Sequence, residues 1–454
     1  MFKTFINAWK VKDIRTKMLF TLLLIVVYRF GSFIPIPGVN ATALAETVRQ
    51  YDLLGFLDLF SGGSLSQFSL FAMGISPYIT GSIIVQLLTI AIPALERLSK
   101  EEDGRQKIEK ITRYVGIALA AIQSVSIIVM LQNANVNILN TLKIFGSDGA
   151  NNAITYITIA VCATAGTAFL MWMGERITEK GVGNGISMLI FASIVASIPN
   201  VFVRIFTTWE ILPWARLDIS HVNGGGLLAW WAPLVALIVT IVLIAGVVLV
   251  DRAVRRIPVQ YAKRVVGRKL YGGQSTHIPM KANANGVMPL IFAMTILQVP
   301  AMIAQFFGDQ TKGFPLFVST YLSASSKNVA GVIIYNVIYG LLIIAFAYFY
   351  SSISFNPVDI SKNLQQNGGF IPGIRPGKPT SDYLQRKSSR LTMFGAIFLC
   401  LIAIIPSIIL NLLGIDLLSR FGATSILIMV SVALETAEQL DSLLLMRHYK
   451  GFLG

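Results

Sequence analysis

VAGVIIYNVIYGLLIIAFAYFY, residues 329–350, contains no charged side chain. An α-helix rises 1.5 Å per residue, so about 20 apolar residues cross the roughly 30 Å hydrocarbon core of a bilayer. This stretch is long enough to do so. AWWAPLVALIVTIVLIAGVVLV, residues 229–250, repeats the pattern. A transmembrane β-barrel would instead show alternating segments of about ten residues. The two stretches therefore predict an all-α polytopic membrane protein.

The rest of the chain agrees. Of 454 residues, 54% are hydrophobic and 13% charged, about half the roughly 25% charge of a soluble domain. Hydropathy and length predict ten spans, near 18–36, 71–92, 114–131, 153–173, 185–203, 229–250, 286–306, 329–350, 391–413 and 421–444. An even number places both termini on one side. The N-terminus, the loops 93–113, 174–184, 251–284 and 355–390, and the tail hold 29 of the 37 Lys and Arg, while the opposite loops hold 7. The positive-inside rule assigns that basic side, with both termini, to the cytoplasm. This also accounts for most of the +15 net charge without nucleic acid. The basic N-terminus lacks a small-residue cleavage site after the first apolar run, so no removable signal peptide is expected.

Little in the sequence points to catalysis. Cys162 and Cys400 sit in apolar runs and read as packing residues, and His221, His277 and His448 are scattered. No metal or cofactor is expected. Ionisable residues inside spans mark coupled transport. Here Arg29 lies near the outer end of the first span, and Glu435, Glu438 and Asp441 lie near the cytoplasmic end of the last. No acid pair sits at mid-membrane. That argues against an ion-driven secondary transporter, and more so against an enzyme.

Five spans fall on each side of the external loop near 204–228. GISPYI (74–79) opens the second span and GVMPLI (286–291) the seventh; both read Gly-x-x-Pro-x-Ile. If these mark a repeat, the halves run in opposite directions, the inverted plan of many transport proteins. Between the first two spans lies LLGFLDLFSGGSLSQF (53–68), apolar but too short to cross, with Asp58 in its middle and a Ser-Gly-Gly-Ser break. Lipid-exposed irregular backbone is not tolerated at membrane depth. The segment is either an interfacial helix or a re-entrant piece lining a cavity.

Ile75 and Ile79, and Ile186 and Ile190, are each four apart and share a helical face. Such residues pack ordinary cores, or close a water path by dewetting. The basic loops 251–284 and 355–390 are long, with Gly and Pro turns, and suggest docking surfaces for an acidic protein or for RNA phosphates. KGVGNGIS (180–187) lacks the preceding strand of a nucleotide-binding loop and reads as small-residue helix packing.

Longer strings carry a resemblance. YRFGSFIPIPG (28–38), FSGG (60–63), GISPYITGSIIVQLL (74–88), GERITEKGVGNGIS (174–187), QSTHIPMKANANGVMP (274–289) and GGFIPGIRPG (368–377) resemble the SecY family, bacterial branch. Members are central subunits of protein-conducting channels. The resemblance implies a clamshell of two inverted five-helix halves around a pore, here residues 1–205 and 206–454. It implies an apolar ring at Ile75, Ile79, Ile186, Ile190, Ile291 and Ile428. It places a plug at about 53–66, including Leu53, Phe56, Asp58, Phe60, Ser61, Gly62 and Gly63. Asp58 departs from the uncharged residue common there. The implied lateral gate carries Gln86, Gln123 and Thr295. Implied docking positions are Arg255, Arg256, Lys263, Arg264 and Arg375.

Implied partners are the small membrane subunits SecE and SecG, the motor ATPase SecA, the ribosome, signal sequences with nascent polypeptides, and membrane lipid. The implied location is the cytoplasmic membrane, and the implied activity is passive and gated. An assembly scaffold without a pore is the other non-enzymatic reading.

Overall fold

The computed structural model describes residues 2–37, 39, 58, 61–99, 101, 103–133, 148–208, 232–261, 264–266, 269–271, 275–283, 286–304, 313–322, 329–412 and 416–450. The helices are α1 (Phe2–Lys10), α2 (Lys12–Gly31), α3 (Ser76–Ala91), α4 (Pro93–Ser99), α5 (Gly104–Asn133), α6 (Asp148–Lys180) and α7 (Gly185–Thr208), followed by α8 (Ala232–Asp251), α9 (Met288–Ala304), α10 (Gly313–Tyr321), α11 (Val329–Ser354), α12 (Pro357–Gln366), α13 (Lys378–Leu412) and α14 (Asp416–Lys450).

Among the described residues, a helix lies on each of the ten expected spans. Four are long and apolar enough to cross a membrane unaided: Gln106–Val129, Ile154–Lys180, Ala330–Gln366 and Lys378–Pro406. Helices α3 and α4 qualify together as one span broken by a bend of 104°. The bend falls at Ile92-Pro93. A proline has no N–H and restricts the residue before it to extended geometry, and Ile92 has ψ 112. Prolines also interrupt α7 at Pro199 and α9 at Pro300, leaving shorter apolar pieces.

Several ends differ from the hydropathy reading. The first span stops at Gly31, and Pro35 forms an isolated antiparallel bridge to Ser69. Helix α13 reaches back to Lys378, far into the basic loop, because a polar extension continues its backbone ladder without a hydropathy signal. The loops also contain strands. β1 (Val254–Tyr261) pairs antiparallel with β4 (Ser275–Lys281) and with β5 (Gly369–Phe370), so the two basic loops share one three-stranded sheet. β2 (Arg264–Val266) and β3 (Lys269–Tyr271) form the hairpin tip. Beneath the sheet, Ile257, Val259 and Met280 pack with Leu364, Ile371 and Leu384.

Packing is mostly local. Among the first helices, α3 packs on α5, α5 on α6, and α6 on α2 and α7. Among the later ones, α9 packs on α11, α11 and α14 on α13, and α14 on α8. Helices α3 and α9 meet, as do α7 and α14, joining the two sets.

Candidate pore, plug base and gate

The two Gly-x-x-Pro-x-Ile strings form the same structure. Gly74 and Gly286 both have φ 58, in the left-handed region that suits glycine. Each is followed two residues later by the first residue of a helix, with Pro77 or Pro289 in its first turn, where a missing N–H costs nothing. In the first, Tyr78 and Ile79 N–H both donate to the Ile75 carbonyl, at 3.0 and 3.1 Å. In the second, Leu290 and Ile291 N–H donate to the Val287 carbonyl, both at 3.1 Å. This turn sets Ile75 at the N-cap of α3, Ile79 on α3 and Ile291 on α9.

Those residues enter one hydrophobic cluster. It includes Ile75, Ile190, Ile291 and Ile428 as buried members, with Ile79 and Ile186 packed against it. All six isoleucines therefore belong to one larger apolar cluster, which also takes in residues of α2, α6, α8, α11 and α13. Ile428 is fully buried, at 0% exposure.

Next to this cluster stands the Ser-Gly-Gly-Ser turn. Leu53, Phe56 and Phe60 lie outside the described residues, so only its base is visible. Gly62 and Gly63 have φ 69 and 85, as a reversal after a short apolar segment requires. Asp58 closes the turn: its Oδ1 accepts from Ser66 N–H at 2.7 Å, and its carbonyl accepts from Gly63 N–H at 2.9 Å and from Ser61 Oγ at 3.0 Å. The acid in this apolar segment thus accepts from a backbone N–H of the turn.

The turn is tied to its neighbours. Tyr28 Oη donates to the Ser61 carbonyl at 3.0 Å and lies 2.6 Å from Ser193 Oγ on α7. Arg29 Nη1 donates to the Gly62 carbonyl at 2.7 Å, and its guanidinium stacks over Phe33 at 4.8 Å. Arg29 is therefore bound to this turn. Sequence reasoning passed over Tyr28 and Ser193. Neither stands out locally, and their contact spans 165 residues.

The remaining candidates separate by location. Gln86 on α3 accepts from Tyr350 Oη on α11 at 3.3 Å, a bond between the two sets of helices. Gln123 on α5 is buried, and Thr295 on α9 bonds within its own helix, to the Ile291 carbonyl at 2.8 Å. Arg255 and Arg256 are exposed on β1, and Arg375 is exposed in the turn after β5. The shared sheet brings these two parts of the loops together. Arg264 is on β2, and Lys263 lies outside the described residues. No group of His, Cys, Asp and Glu suited to a metal occurs among the described residues.

Comparison with known proteins places the fold in a family. The SecY family model covers residues 69–437. Protein translocase subunit SecY of Streptomyces galbus is 44% identical over 459 residues, covering 100% of both chains. That of Bacillus subtilis is 44% identical with the same coverage. A solved structure described as "The structure of a protein conducting channel" superposes with a TM-score of 0.64 at 19% identity, covering 94% of this chain and 92% of the other. Full-length identity at this level, on a matching fold, shows that the chain belongs to the SecY family.

Proposed function

We infer that the chain is the pore-forming subunit of a protein translocation channel, passing unfolded secretory polypeptides across a membrane and releasing hydrophobic segments sideways into it. The carrying observation is the single apolar cluster that gathers the six isoleucines where the two sets of helices meet. An apolar constriction excludes ions by dewetting, while flexible side chains can yield to a passing chain. The pore has no chemistry of its own, and the work comes from outside.

We read residues 1–205 and 206–454 as the two inverted halves, and the identical Gly-x-x-Pro-x-Ile turns support that division. The base at Ser61–Ser66 belongs to a plug over the constriction. Gln86, Gln123 and Thr295 line the lateral opening, and the Gln86–Tyr350 bond supports placing it between α3 and α11. The exposed Arg255, Arg256 and Arg375, with Lys263 and Arg264, form the docking face for SecA or for a ribosome. One solved neighbour is described as "Sec61 in the Canine ribosome-channel complex from the endoplasmic reticulum". SecE and SecG complete the assembly, and signal sequences and lipid meet at the opening. The basic-side asymmetry supports a cytoplasmic membrane location with both termini inside.

Ile428→Asn tests the constriction. In planar bilayers the variant channel should leak ions, and signal-sequence selectivity should relax. If Ile428 only packs a core, its polar replacement costs about 1–3 kcal/mol of stability and leaves conductance unchanged. Arg375→Glu tests the docking face. Losing one charged anchor at an interface costs on the order of 2 kcal/mol or more, so motor-driven translocation should fall at least about tenfold in a folded channel. Normal translocation would remove Arg375 from the docking face.

A further inference from the structure

We propose that Asp251 is a positioning residue that couples the docking sheet to the apolar constriction. The proposal rests on the pore and docking reading above. Asp251 ends α8, and the β1–β4 hairpin leaves the bundle just beyond it, at Val254. The chain returns through residues 281–283. The two feet of the hairpin are joined, since Ala282 N–H donates to the Ala253 carbonyl at 2.8 Å. The Asp251 carboxylate then takes one hydrogen bond from each direction. Asn283 Nδ2 on the returning foot donates to Oδ1 at 2.9 Å. Ser431 Oγ on α14 donates to Oδ2 at 2.6 Å. Both donors are buried, with 8% of each exposed.

The placement of those donors gives the carboxylate its role. Ser431 stands three residues beyond Ile428 on α14, nearly one helical turn away. Asn283 precedes the Gly286 turn, from which α9 starts and carries Ile291 in its first turn. A single carboxylate thus joins both feet of the docking hairpin to one helix bearing a constriction residue, and to the approach to another. The foot has little freedom to slide elsewhere: a Cβ at Gly395 of α13 would stand 2.9 Å from the Ala282 carbonyl. Lys281 also pairs with Glu438 of α14, but both side chains are about half exposed, at 44% and 51%. Exposed pairs of this kind contribute little. The sheltered Asp251 bonds form the firmer link.

A load on the sheet is then delivered to α14 and α9 rather than absorbed by a loose loop. The test uses the full channel in proteoliposomes with its motor and a secretory chain, measuring motor affinity and translocation rate separately. Asp251→Ala removes both charge-assisted hydrogen bonds and should keep motor affinity within about twofold while translocation falls at least about tenfold, the ratio that even one such bond corresponds to. Ser431→Ala removes only the arm to α14 and should separate the two readouts in the same way, which carries the test if Asp251→Ala does not fold.

The double variant Asp251→Asn with Asn283→Asp exchanges donor and acceptor: the new amide donates to the new carboxylate and still accepts from Ser431. It should restore translocation where Asn283→Asp alone, which sets two carboxylates against each other, does not. Normal translocation in both single variants, loss of rate matched by loss of affinity, or no rescue by the exchange would each overturn the proposal. Arg375→Glu serves as the separate control. If that variant docks and translocates normally, the docking reading has failed, whatever Asp251 does.

Discussion

Tyr28 is 1% exposed, and its hydroxyl serves two partners, the Ser61 carbonyl and Ser193 Oγ. Tyr28→Phe removes that donor from the Ser61 carbonyl, which keeps Ser64 Oγ at 2.7 Å, a loss of about 0.5–1.5 kcal/mol. Ser193→Ala leaves the Tyr28–Ser61 bond intact and should cost less. Thermal unfolding of the purified channel in detergent would rank the two, and the opposite order would make α7, rather than the turn, the main anchor of Tyr28. Gly62→Ala should be worse than its size suggests. Its φ of 69 disfavours any Cβ, and that Cβ would stand 3.1 Å from Ser193 Cα. Part of this was legible. The Ser-Gly-Gly-Ser break and Asp58 stood out as misfits in an apolar segment. Tyr28 did not, because a tyrosine in a span is ordinary and only tertiary structure brings it to a residue 165 positions away.

At the scale of elements, three identities in six residues were enough to suggest that the second and seventh spans start alike. The structure gives both the same glycine angle and the same pair of hydrogen bonds to one carbonyl. Gly286 isolates the conformational cost, because a Cβ there would meet nothing within 4 Å. Gly286→Ala should destabilise by about 1–2 kcal/mol, and Gly286→Asn by less, since asparagine tolerates the left-handed region; thermal unfolding would measure both. The spans themselves were legible because charge-free runs of that length have one stable solution in lipid. The shared sheet was not. β5 has two residues, Gly369 and Phe370, too few to show a strand's alternation, and its partner lies in a different loop. The long reach of α13 was also hidden, since hydropathy reports where a helix is greasy rather than where it begins.

For the whole molecule, the meeting of the two sets of helices matters most. Where α3 faces α11, Tyr350 donates to Gln86 at 3.3 Å. A neutral bond contributes about 1 kcal/mol, so Tyr350→Phe should favour opening at this seam by about fivefold. Signal-sequence insertion into the variant, followed by site-specific crosslinking to lipid-facing positions, would report it; unchanged insertion would show that the seam is held by apolar packing alone. Charge asymmetry set the expected membrane orientation, and the short Ile spacings hinted at two faces. Neither could join Ile291 and Ile428 to the other four, because those two have no partner at helical spacing in their own spans. The sheet built from two loops has a genetic consequence. Val259 from one loop shares its core with Leu364 and Ile371 from the other. A lesion such as Val259→Ala, which loosens that core, should therefore be suppressible by second-site changes about a hundred positions downstream, and a selection for restored secretion should return them in the 355–390 segment.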